Sequence, residues 1–388
     1  MNIPHLLLLI LISLLIYSYI GYGLLLWLMV AVKRLFKSDP VATNASYPEV
    51  TLVVAAFNEE DCIEEKIKNC LSLDYPKDKL QLLFVTDGST DRTVDIIQQY
   101  PHVQLEHQDI RAGKIAAVNR IMPLVATPIT IFCDANTTLN TGAIKKLTQH
   151  FNSKKIGAVA GEKRIAQEAT SDASTAGEGI YWRYESVLKS LDSELHSVVG
   201  AAGELFAIRT ELYEAPSHDT LIEDFILTMN IAKRGYKVAY EKEAYALESG
   251  SAALAEEIKR KIRIAAGGLQ AVYRLRSLLV PTDPILTFQY VSHRVLRWTL
   301  APLALIGVML ISSHLASQGD IVGQLLFAAQ VFFYAAAAIG YAVEQRALNI
   351  KILYVPLYFT MMNLCVFIGL WRLSMGSQSV VWDKAKRK

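Results

Sequence analysis

The chain has little cysteine, and its cysteines are scattered. Its 388 residues include Cys62, Cys70, Cys133 and Cys365, and no two of them form a CxxC pair. This spacing indicates neither a zinc site nor a disulfide framework, as expected for a reducing cytosolic domain. We therefore interpret the four as small apolar side chains.

The chain also lacks an excess of charge of either sign. Lys and Arg number 39 against 37 Asp and Glu, which gives a formal net charge of +2. This balance excludes a protein that coats nucleic acid, so no nucleic-acid partner is expected. The mean hydropathy of +0.26 argues against a purely soluble enzyme and against a disordered chain.

Much of the hydrophobicity lies in a long run near the N-terminus. Between Leu6 and Val32 there is no charged residue, and the run exceeds the roughly 20 apolar residues that span a bilayer. It is too long for a signal peptide and lacks the basic segment before it, so residues 1–34 are predicted to form a transmembrane helix. By the positive-inside rule the middle of the chain is cytosolic, because basic residues follow directly: Lys33, Arg34 and Lys37.

Residues 297–375 contain about three more apolar segments of nearly spanning length, at 298–313, 321–343 and 352–371. The loop SHLASQGD has no Lys or Arg and suits the outside, whereas EQRALNIK is basic and suits the inside. Three crossings would leave the basic tail, residues 376–388, outside, against the same rule. Either the last segment, with Pro356 inside it, re-enters without crossing, or the tail breaks the rule; the sequence leaves both open.

The middle of the chain, residues 48–250, alternates strand-like and helical segments. The runs VTLVVAAF, LQLLFVTD, VQLEH, PITIFCDA and IGAVAG are each separated by a helical pattern. This alternation predicts an α/β domain with a mostly parallel, Rossmann-like sheet and helices on both faces. Neither GxGxxG nor a Walker A sequence is present, which disfavours a dinucleotide oxidoreductase or a P-loop ATPase.

Polar side chains follow the predicted strands, at the sheet edge where ligands bind in such folds. Asn58 follows the first strand, Asp87 the second, and Asp134 with Asn136 the fourth. Two oxygen-bearing side chains one residue apart can both reach one hard cation such as Mg²⁺ or Mn²⁺, and Lys114 could lie near the phosphates of a substrate. Each also has an ordinary explanation, which is a turn with a helix cap for the acids and a solvated helix start for the lysine.

Two later features are equally ambiguous when taken alone. Glu223 and Asp224 open an apolar helical segment, where the helix dipole favours acids. Residues 251–296 include a basic amphipathic segment, which predicts interfacial helices on the bilayer. Arg260 and Arg263, one turn apart in it, either touch lipid headgroups or reach a diphosphate.

The order of the motifs is more informative than any one of them. They are VVAAFNEE at 53–60, TDGSTDRT at 86–93, RAGK at 111–114, CDANT at 133–137, GELFAIR at 203–209, IEDF at 222–225 and RKIRIAAGG at 260–268. In this order they resemble the membrane-embedded family 2 glycosyltransferases, the group that includes cellulose, chitin, hyaluronan and poly-N-acetylglucosamine synthases. The resemblance covers about residues 48–275 by motif and implies a GT-A fold.

The resemblance implies a nucleotide site and a metal site. Residues at the first two strand ends would line the nucleotide pocket with the lysine of RAGK: Ala56, Asn58, Glu60, Asp87 and Lys114. Asp134 and Asn136 match the DxD motif, which binds Mg²⁺ or Mn²⁺ between the protein and the two phosphates of the donor. Asn136 departs from the pattern, because it offers a neutral oxygen in place of a carboxylate.

The resemblance also implies catalytic roles. Asp224 matches the general base, with Glu223 beside it, and Arg260 and Arg263 match the motif that holds the leaving diphosphate. Ile264 stands where processive synthases carry a Trp that stacks on the acceptor sugar. An acceptor platform could instead come from an aromatic run that is equally explained by core packing: Tyr181, Trp182 and Tyr184.

Together these features predict an inverting glycosyltransferase of the plasma (inner) membrane. It would transfer sugar at the cytosolic face from a nucleotide-sugar donor, UDP-linked in our expectation, to a growing surface polysaccharide. One alternative is transfer of a single sugar to a lipid carrier, which Ile264 favours; membrane lipid is an expected partner in either case. Another is a sensor of nucleotide sugars without catalysis, against which the base and the two arginines count. The sequence leaves open the sugar, the acceptor, the linkage and any partner subunits.

Overall fold

A computed structural model describes residues 2–36, 47–166, 173–249, 254–346 and 350–380. The chain divides into two compact units. The helical unit comprises Met1–Ala31, Gln167–Arg183 and Ser251–Gln378, and the sheet unit comprises Val32–Ala166, Tyr184–Gly250 and Ser379–Lys388. Lys37 and most of the predicted basic tail lie outside the described residues. The division of the chain into the five segments predicted from the sequence remains a proposal, with boundaries at 1–34, 48–250, 251–296, 297–375 and 376–388.

Within the described residues, the sheet unit contains one eight-stranded sheet. Its strands are β1 Val50–Ala56, β2 Leu80–Asp87, β3 Gln104–Gln108, β4 Ile129–Asp134, β5 Thr137–Leu139, β6 Ile156–Ile165, β7 Leu205–Arg209 and β8 Lys237–Glu248. Their spatial order is β3-β2-β1-β4-β7-β6-β8-β5. Strands β3, β2, β1 and β4 run parallel, and β7 is antiparallel to its neighbours β4 and β6. The mostly parallel α/β sheet predicted from the sequence is confirmed.

Short helices connect these strands. They are α3 Ile63–Leu71, α4 Thr93–Gln98, α5 Lys114–Ile121, α6 Ala143–Thr148 and α8 Glu223–Lys233, and a longer helix, α7, runs over Ala173–Leu195. Strand β1 is apolar along almost its whole length and nearly fully buried, as expected for a central parallel strand covered on both faces. The main core packs side chains of β1, β2 and β4 against those of α3 and α6.

The parallel strands bring their polar ends together. Ala55 of β1 pairs with Asp134 of β4, and Ala56 pairs with Thr86 of β2, directly before Asp87. The ends of these three strands therefore lie side by side at one edge of the sheet. This edge is where the sequence predicts the ligand site.

The helical unit is built from long apolar helices. Near the N-terminus, helix α1 Ile3–Ile16 continues through a π-helical segment, Tyr17–Gly21, into α2 Tyr22–Leu35. The helices toward the C-terminus are α9 Leu254–Arg274, α10 Pro284–Tyr290, α11 Leu296–Trp298, α12 Leu300–Ser317, α13 Ile321–Glu344 and α14 Tyr354–Ser374. Within the described ranges, four helical segments are long and apolar enough to cross a membrane: Ile3–Leu35, Leu300–Ser317, Ile321–Glu344 and Lys351–Ser374. These segments indicate a membrane protein.

The last apolar helix continues past its proline. Pro356 lies in the first turn of α14, where its missing N–H removes no intrahelical hydrogen bond. The helix has 21 residues, so it is about 30 Å long. Its length is sufficient for a full crossing.

The basic amphipathic helix predicted before these segments is α9. Its apolar residues Leu254, Ile262 and Ala265 pack against α14. The two helices approach closely at Gly369, where a Cβ would lie 2.8 Å from the backbone nitrogen of Ala266. Packing on α14 therefore accounts for much of the apolar face of α9.

One glycine fixes the position of helix α8. Gly200 has a φ of +84°, and a Cβ there would lie 2.0 Å from the ring of Phe225. We predict that Gly200→Ala lowers the free energy of unfolding by at least about 2 kcal/mol, because it adds both backbone strain and a ring clash. The measurement is the apparent Tm in detergent. Gly142, where a Cβ would meet nothing within 4 Å, provides the control substitution to Ala, and an equal Tm for the two variants would contradict the prediction.

Candidate active site

An open cleft of about 600 Å³, a volume that includes solvent at its mouth, lies at the polar edge of the sheet. Its lining comes from the ends of β1, β2 and β4 and from the start of α5, and it includes Ala56, Glu59, Asp87, Arg111, Lys114, Asp134 and Asn136. Arg111 stacks on Phe57, with the guanidinium carbon 3.7 Å from the ring centroid. Five of the predicted site residues thus share one cleft.

Asp87 anchors the RAGK loop to the end of β2. Its Oδ2 accepts hydrogen bonds from the backbone N–H groups of Ala112 at 2.9 Å and Gly113 at 2.6 Å. The other oxygen, Oδ1, is buried without a hydrogen-bond partner, and its nearest cation is the Arg120 Nη1 at 3.8 Å. Asp87 therefore does not cap a helix, and its Oδ1 is a buried acceptor beside the cleft whose hydrogen bond is unmade.

Asn58 and Glu60 connect two loops and do not line the cleft. Asn58 has a φ of 53°, and its Oδ1 accepts the backbone N–H of Thr90 at 2.8 Å. The Oε2 of Glu60 accepts from the Nε of Arg92 at 3.2 Å. Both side chains thereby hold the loop after β1 against the loop after β2. The neighbouring acid Glu59 lines the cleft.

Lys114 joins three elements through its ammonium group. The Nζ lies 2.7 Å from Asp134 Oδ1 at the end of β4 and 3.0 Å from Glu223 Oε1 at the start of α8. Burial opposes the charge, but the two carboxylates outweigh it and raise the pKa of Lys114 above its ordinary value. Lys114 opens α5, and it is an ion-paired residue of the site, not a solvated one.

Asp224 differs from Glu223 in its surroundings. Burial, together with the negative charge of Glu223, raises the pKa of the Asp224 carboxyl to about 7. Both acids lie in the first turn of α8, as the helix dipole favours. Because Glu223 forms the ion pair with Lys114, Asp224 is the acid poised to exchange a proton near neutral pH.

A second lysine, which is buried, pairs with further acids of this region. Lys163 Nζ lies 2.5 Å from Glu204 Oε1 and also forms an ion pair with Glu248. Burial raises the pKa of Asp134, and the negative charges of Glu204 and Glu248 act in the same direction. Glu204 belongs to the GELFAIR motif. The motif alone indicates no role for Glu204, because its partner Lys163 lies in β6, far away in the chain.

The donor set at the end of β4 suits a divalent cation in part. Asp134 offers a carboxylate that is 24% exposed, and Asn136 lines the same cleft. Among the residues that the structure describes, no group of three or more His, Cys, Asp or Glu side chains could hold a metal. A Mg²⁺ or Mn²⁺ ion would thus depend on substrate phosphates and water for the rest of its ligands, which is usual for Mg²⁺. Neither polar residue after this motif caps helix α6: Thr137 lies in β5, and the Asn140 Oδ1 accepts the backbone N–H of Tyr245.

Arg260 is held by a buried acid in the helical unit. Its Nε and Nη2 donate to Glu257 Oε2 at 3.0 and 2.6 Å, and the Glu257 side chain is 1% exposed. Lys261 lies 3.5 Å from the other oxygen of Glu257. Arg263 lies one turn along the same helix and is half-buried.

Two of the three predicted platform aromatics contact Lys261. The Lys261 Nζ lies 4.7 Å from the ring centroid of Tyr181 and 5.6 Å from that of Trp182. Tyr358 approaches the same ammonium at 5.7 Å. This cation–π packing gives Tyr181 and Trp182 a role within the helical unit; Tyr184 is half-buried in the sheet unit.

Removal of the Lys114 charge should destabilise the sheet unit in a pH-dependent way. We predict that Lys114→Met costs about 3–5 kcal/mol at neutral pH, because Asp134 and Glu223 lose their cation. The loss of stability should shrink as the pH falls from 8 to 5. Carboxyls whose pKa is raised by folding take up protons in this range, and protonation removes their unpaired negative charge. Apparent Tm values at several pH values measure this.

The matched control is Lys145→Met, which breaks an ion pair with Asp74 of 2.7 Å at the surface. Its Tm should stay near that of the parent protein at every pH. Equal Tm losses in the two variants, or a loss in Lys114→Met that grows toward low pH, would contradict the assignment of Lys114 as the central cation.

Comparisons with known proteins identify the family of the chain. Residues 48–267, more than half of the chain, match the family model described as glycosyltransferase like family 2. A beta-monoglucosyldiacylglycerol synthase of Synechocystis sp. is 29% identical over 275 residues, covering 65% of this chain and 56% of that protein. A poly-beta-1,6-N-acetyl-D-glucosamine synthase of Staphylococcus aureus is 25% identical over 237 residues, covering 58% of this chain and 56% of that protein.

The chain thus spans little more than half the length of these relatives. A mannosyltransferase of Pyrobaculum calidifontis, solved with GDP-mannose and Mn²⁺, superposes with a TM-score of 0.73 at 22% identity, over 96% of this chain and 100% of that chain. This similarity shows a GT-A fold and confirms the fold class predicted from the sequence. On the family match, the chain belongs to the family 2 glycosyltransferases, enzymes that transfer sugars from nucleotide-sugar donors.

Proposed function

We propose that this glycosyltransferase inverts the anomeric centre of its donor and uses Asp224 as the general base. The observation that carries the proposal is the half-buried Asp224 carboxyl, whose pKa is raised to about 7. A general base works best when its pKa lies near the operating pH. Glu223 serves as a positioning residue, because its carboxylate is bound to Lys114.

In the proposed reaction an acceptor hydroxyl gives its proton to Asp224. The hydroxyl oxygen forms a bond to the anomeric carbon while the bond from that carbon to the donor phosphate breaks, and the nucleoside diphosphate leaves with the electron pair. Attack from the side opposite the leaving group converts an α-linked donor into a β-linked product. One carboxylate base is sufficient, in contrast to the paired carboxylates of glycosidases.

The cleft at the sheet edge is the proposed donor site. Ala56 would contact the nucleoside, and Asp87 would close the nucleotide pocket. Asn58 and Glu60 would act indirectly, by holding the two loops together. Lys114 lies beside Asp134 and would stabilise the negative charge of the diphosphate. The resemblance implies that Arg260 and Arg263 would hold the leaving diphosphate. Arg260 is oriented by Glu257.

A divalent cation is the proposed cofactor at Asp134 and Asn136. When bound, it would neutralise charge that develops on the leaving diphosphate. We take Mg²⁺ and Mn²⁺ as the candidates, since the ligands are oxygens. A UDP-linked donor remains our expectation for the nucleotide.

For the acceptor, we place a membrane lipid ahead of a growing polysaccharide. Ile264 replaces the Trp of processive synthases, and the glycolipid synthase of Synechocystis matches more of this chain than the polysaccharide synthase does. The polysaccharide alternative is supported by the similarity to the poly-beta-1,6-N-acetyl-D-glucosamine synthase. We propose that the reaction takes place at the cytosolic face of the inner membrane, because Lys33 and Arg34 end the first apolar helix.

The direct test of function uses purified protein in lipid vesicles with a panel of radiolabelled UDP-, GDP- and TDP-sugars. A single lipid-soluble product is expected with one donor. A ladder or polymer would establish the polysaccharide alternative. Nucleotide release from no donor, with or without lipid, would instead support a sensor and contradict the proposal.

The base assignment predicts a specific pH dependence. The kcat/KM of the parent enzyme should rise about tenfold per pH unit up to a pH near 7 and then level off, because transfer requires ionised Asp224. Asp224→Asn should lower kcat by about 10²–10⁴-fold and remove this limb, with donor affinity unchanged. Glu223→Gln is the matched variant, which should retain the limb but shift it to lower pH, because it removes a negative charge that raises the pKa of Asp224. An Asp224→Asn enzyme with full activity would end the assignment.

The metal assignment predicts that cation and nucleotide bind together. Because the protein offers few metal ligands, calorimetry should show weak binding of Mn²⁺ alone and binding at least about tenfold tighter with a nucleoside diphosphate present. Asp134→Asn should abolish this tightening. Equal Mn²⁺ affinity with and without nucleotide would contradict the proposed site.

A further inference from the structure

Gly203, in the loop before β7, faces two charged groups of the candidate active site. A Cβ at this position would lie 3.5 Å from Asp224 Oδ2, 3.5 Å from Lys114 Nζ and 3.7 Å from Asp224 Cγ. These are the three nearest atoms, and all belong to the same two side chains. The bare Cα of Gly203 therefore borders the space beside the carboxylate of Asp224.

Packing does not explain this glycine, although it explains others nearby. A Cβ on Gly200 would meet the Phe225 ring at 2.0 Å, and one on Gly161 would meet the Leu205 side chain at 2.8 Å. At Gly203 the corresponding distances are ordinary van der Waals contacts, and its φ lies outside the left-handed region. The fold can thus accommodate alanine at position 203.

The next residue sends its side chain to a different partner. Glu204 pairs with the buried Lys163, at 2.5 Å between Oε1 and Nζ. The loop therefore presents bare backbone to Asp224 and commits its own carboxylate to another lysine. Because residue 203 has no side chain, the small space beside an oxygen of Asp224 is left unfilled from this loop.

We propose that Gly203 keeps open the space through which the acceptor hydroxyl reaches Asp224. This inference rests on the proposed function, in which Asp224 is the base. The hydroxyl oxygen must come within about 2.6–3.2 Å of the carboxylate to give up its proton. A methyl group placed 3.5 Å from the same Oδ2 would compete with the hydroxyl for this volume. Gly203 is therefore a positioning residue for the acceptor, and its effect is exerted on transfer, not on donor binding.

The test compares Gly203→Ala with Gly142→Ala, whose added Cβ would meet nothing within 4 Å. Gly203→Ala should lower kcat for transfer about 10²-fold, since a small misplacement of a reacting group has an effect of this size. Affinity for the nucleoside diphosphate, measured by calorimetry, and the apparent Tm should be unchanged. Slow hydrolysis of the donor by water should persist, so the ratio of hydrolysis to transfer should rise. Gly142→Ala should match the parent protein in all four measurements.

Three results would overturn the proposal: transfer by Gly203→Ala at the parent rate, a loss of nucleotide affinity that accounts for the lost transfer, or a lowered Tm, which would give Gly203 a packing role. Failure of the proposed function is distinguishable from these. It would appear as full activity in Asp224→Asn, whatever the behaviour of the Gly203 variant.

Discussion

The ammonium group of Lys114 connects the end of strand β4 to the start of helix α8 through its ion pairs with Asp134 and Glu223. Without a cation between them, these carboxylates and that of Asp224 would repel one another in a partly buried site. The charge of Lys114 permits several acids to gather at one sheet edge, and the pairing leaves the acids unequal. Glu223 is committed to the lysine, whereas Asp224 has a raised pKa. One ion-paired lysine thus supports both the fold of the site and its proposed proton chemistry.

The surrounding structure serves to place this lysine. Asp87 at the end of β2 binds the backbone of Ala112 and Gly113 and so fixes the start of α5. On the other side, Gly200 allows the Phe225 ring to pack closely, which sets the first turn of α8. Lys163 forms ion pairs with Glu204 and Glu248. The site is therefore assembled from strand ends and helix starts whose positions depend on the sheet, in agreement with its place in a GT-A fold.

Much of this arrangement could be predicted from the sequence, because buried parallel strands are continuous apolar runs whose ends are marked by polar residues. That pattern alone predicts Asp87 and Asp134 at the ligand-binding edge, where the cleft lies. The pairing of Lys114 with Glu223 could not be predicted, since the two residues are far apart in the chain and meet only through tertiary packing. Similarly, nothing in the run of aromatics indicated that Tyr181 and Trp182 pack around Lys261. Local pattern predicts where a strand ends, but side-chain partners depend on the whole fold.

In the proposed mechanism a single carboxylate base, Asp224, directs the acceptor onto the donor opposite the leaving diphosphate. The most direct test is the anomeric configuration of the freshly formed product, determined by NMR with an α-linked nucleotide-sugar donor. We expect a β-linked product, because displacement in one step inverts the centre. An α-linked product would contradict this mechanism, since retention requires chemistry that a lone base beside the acceptor does not provide.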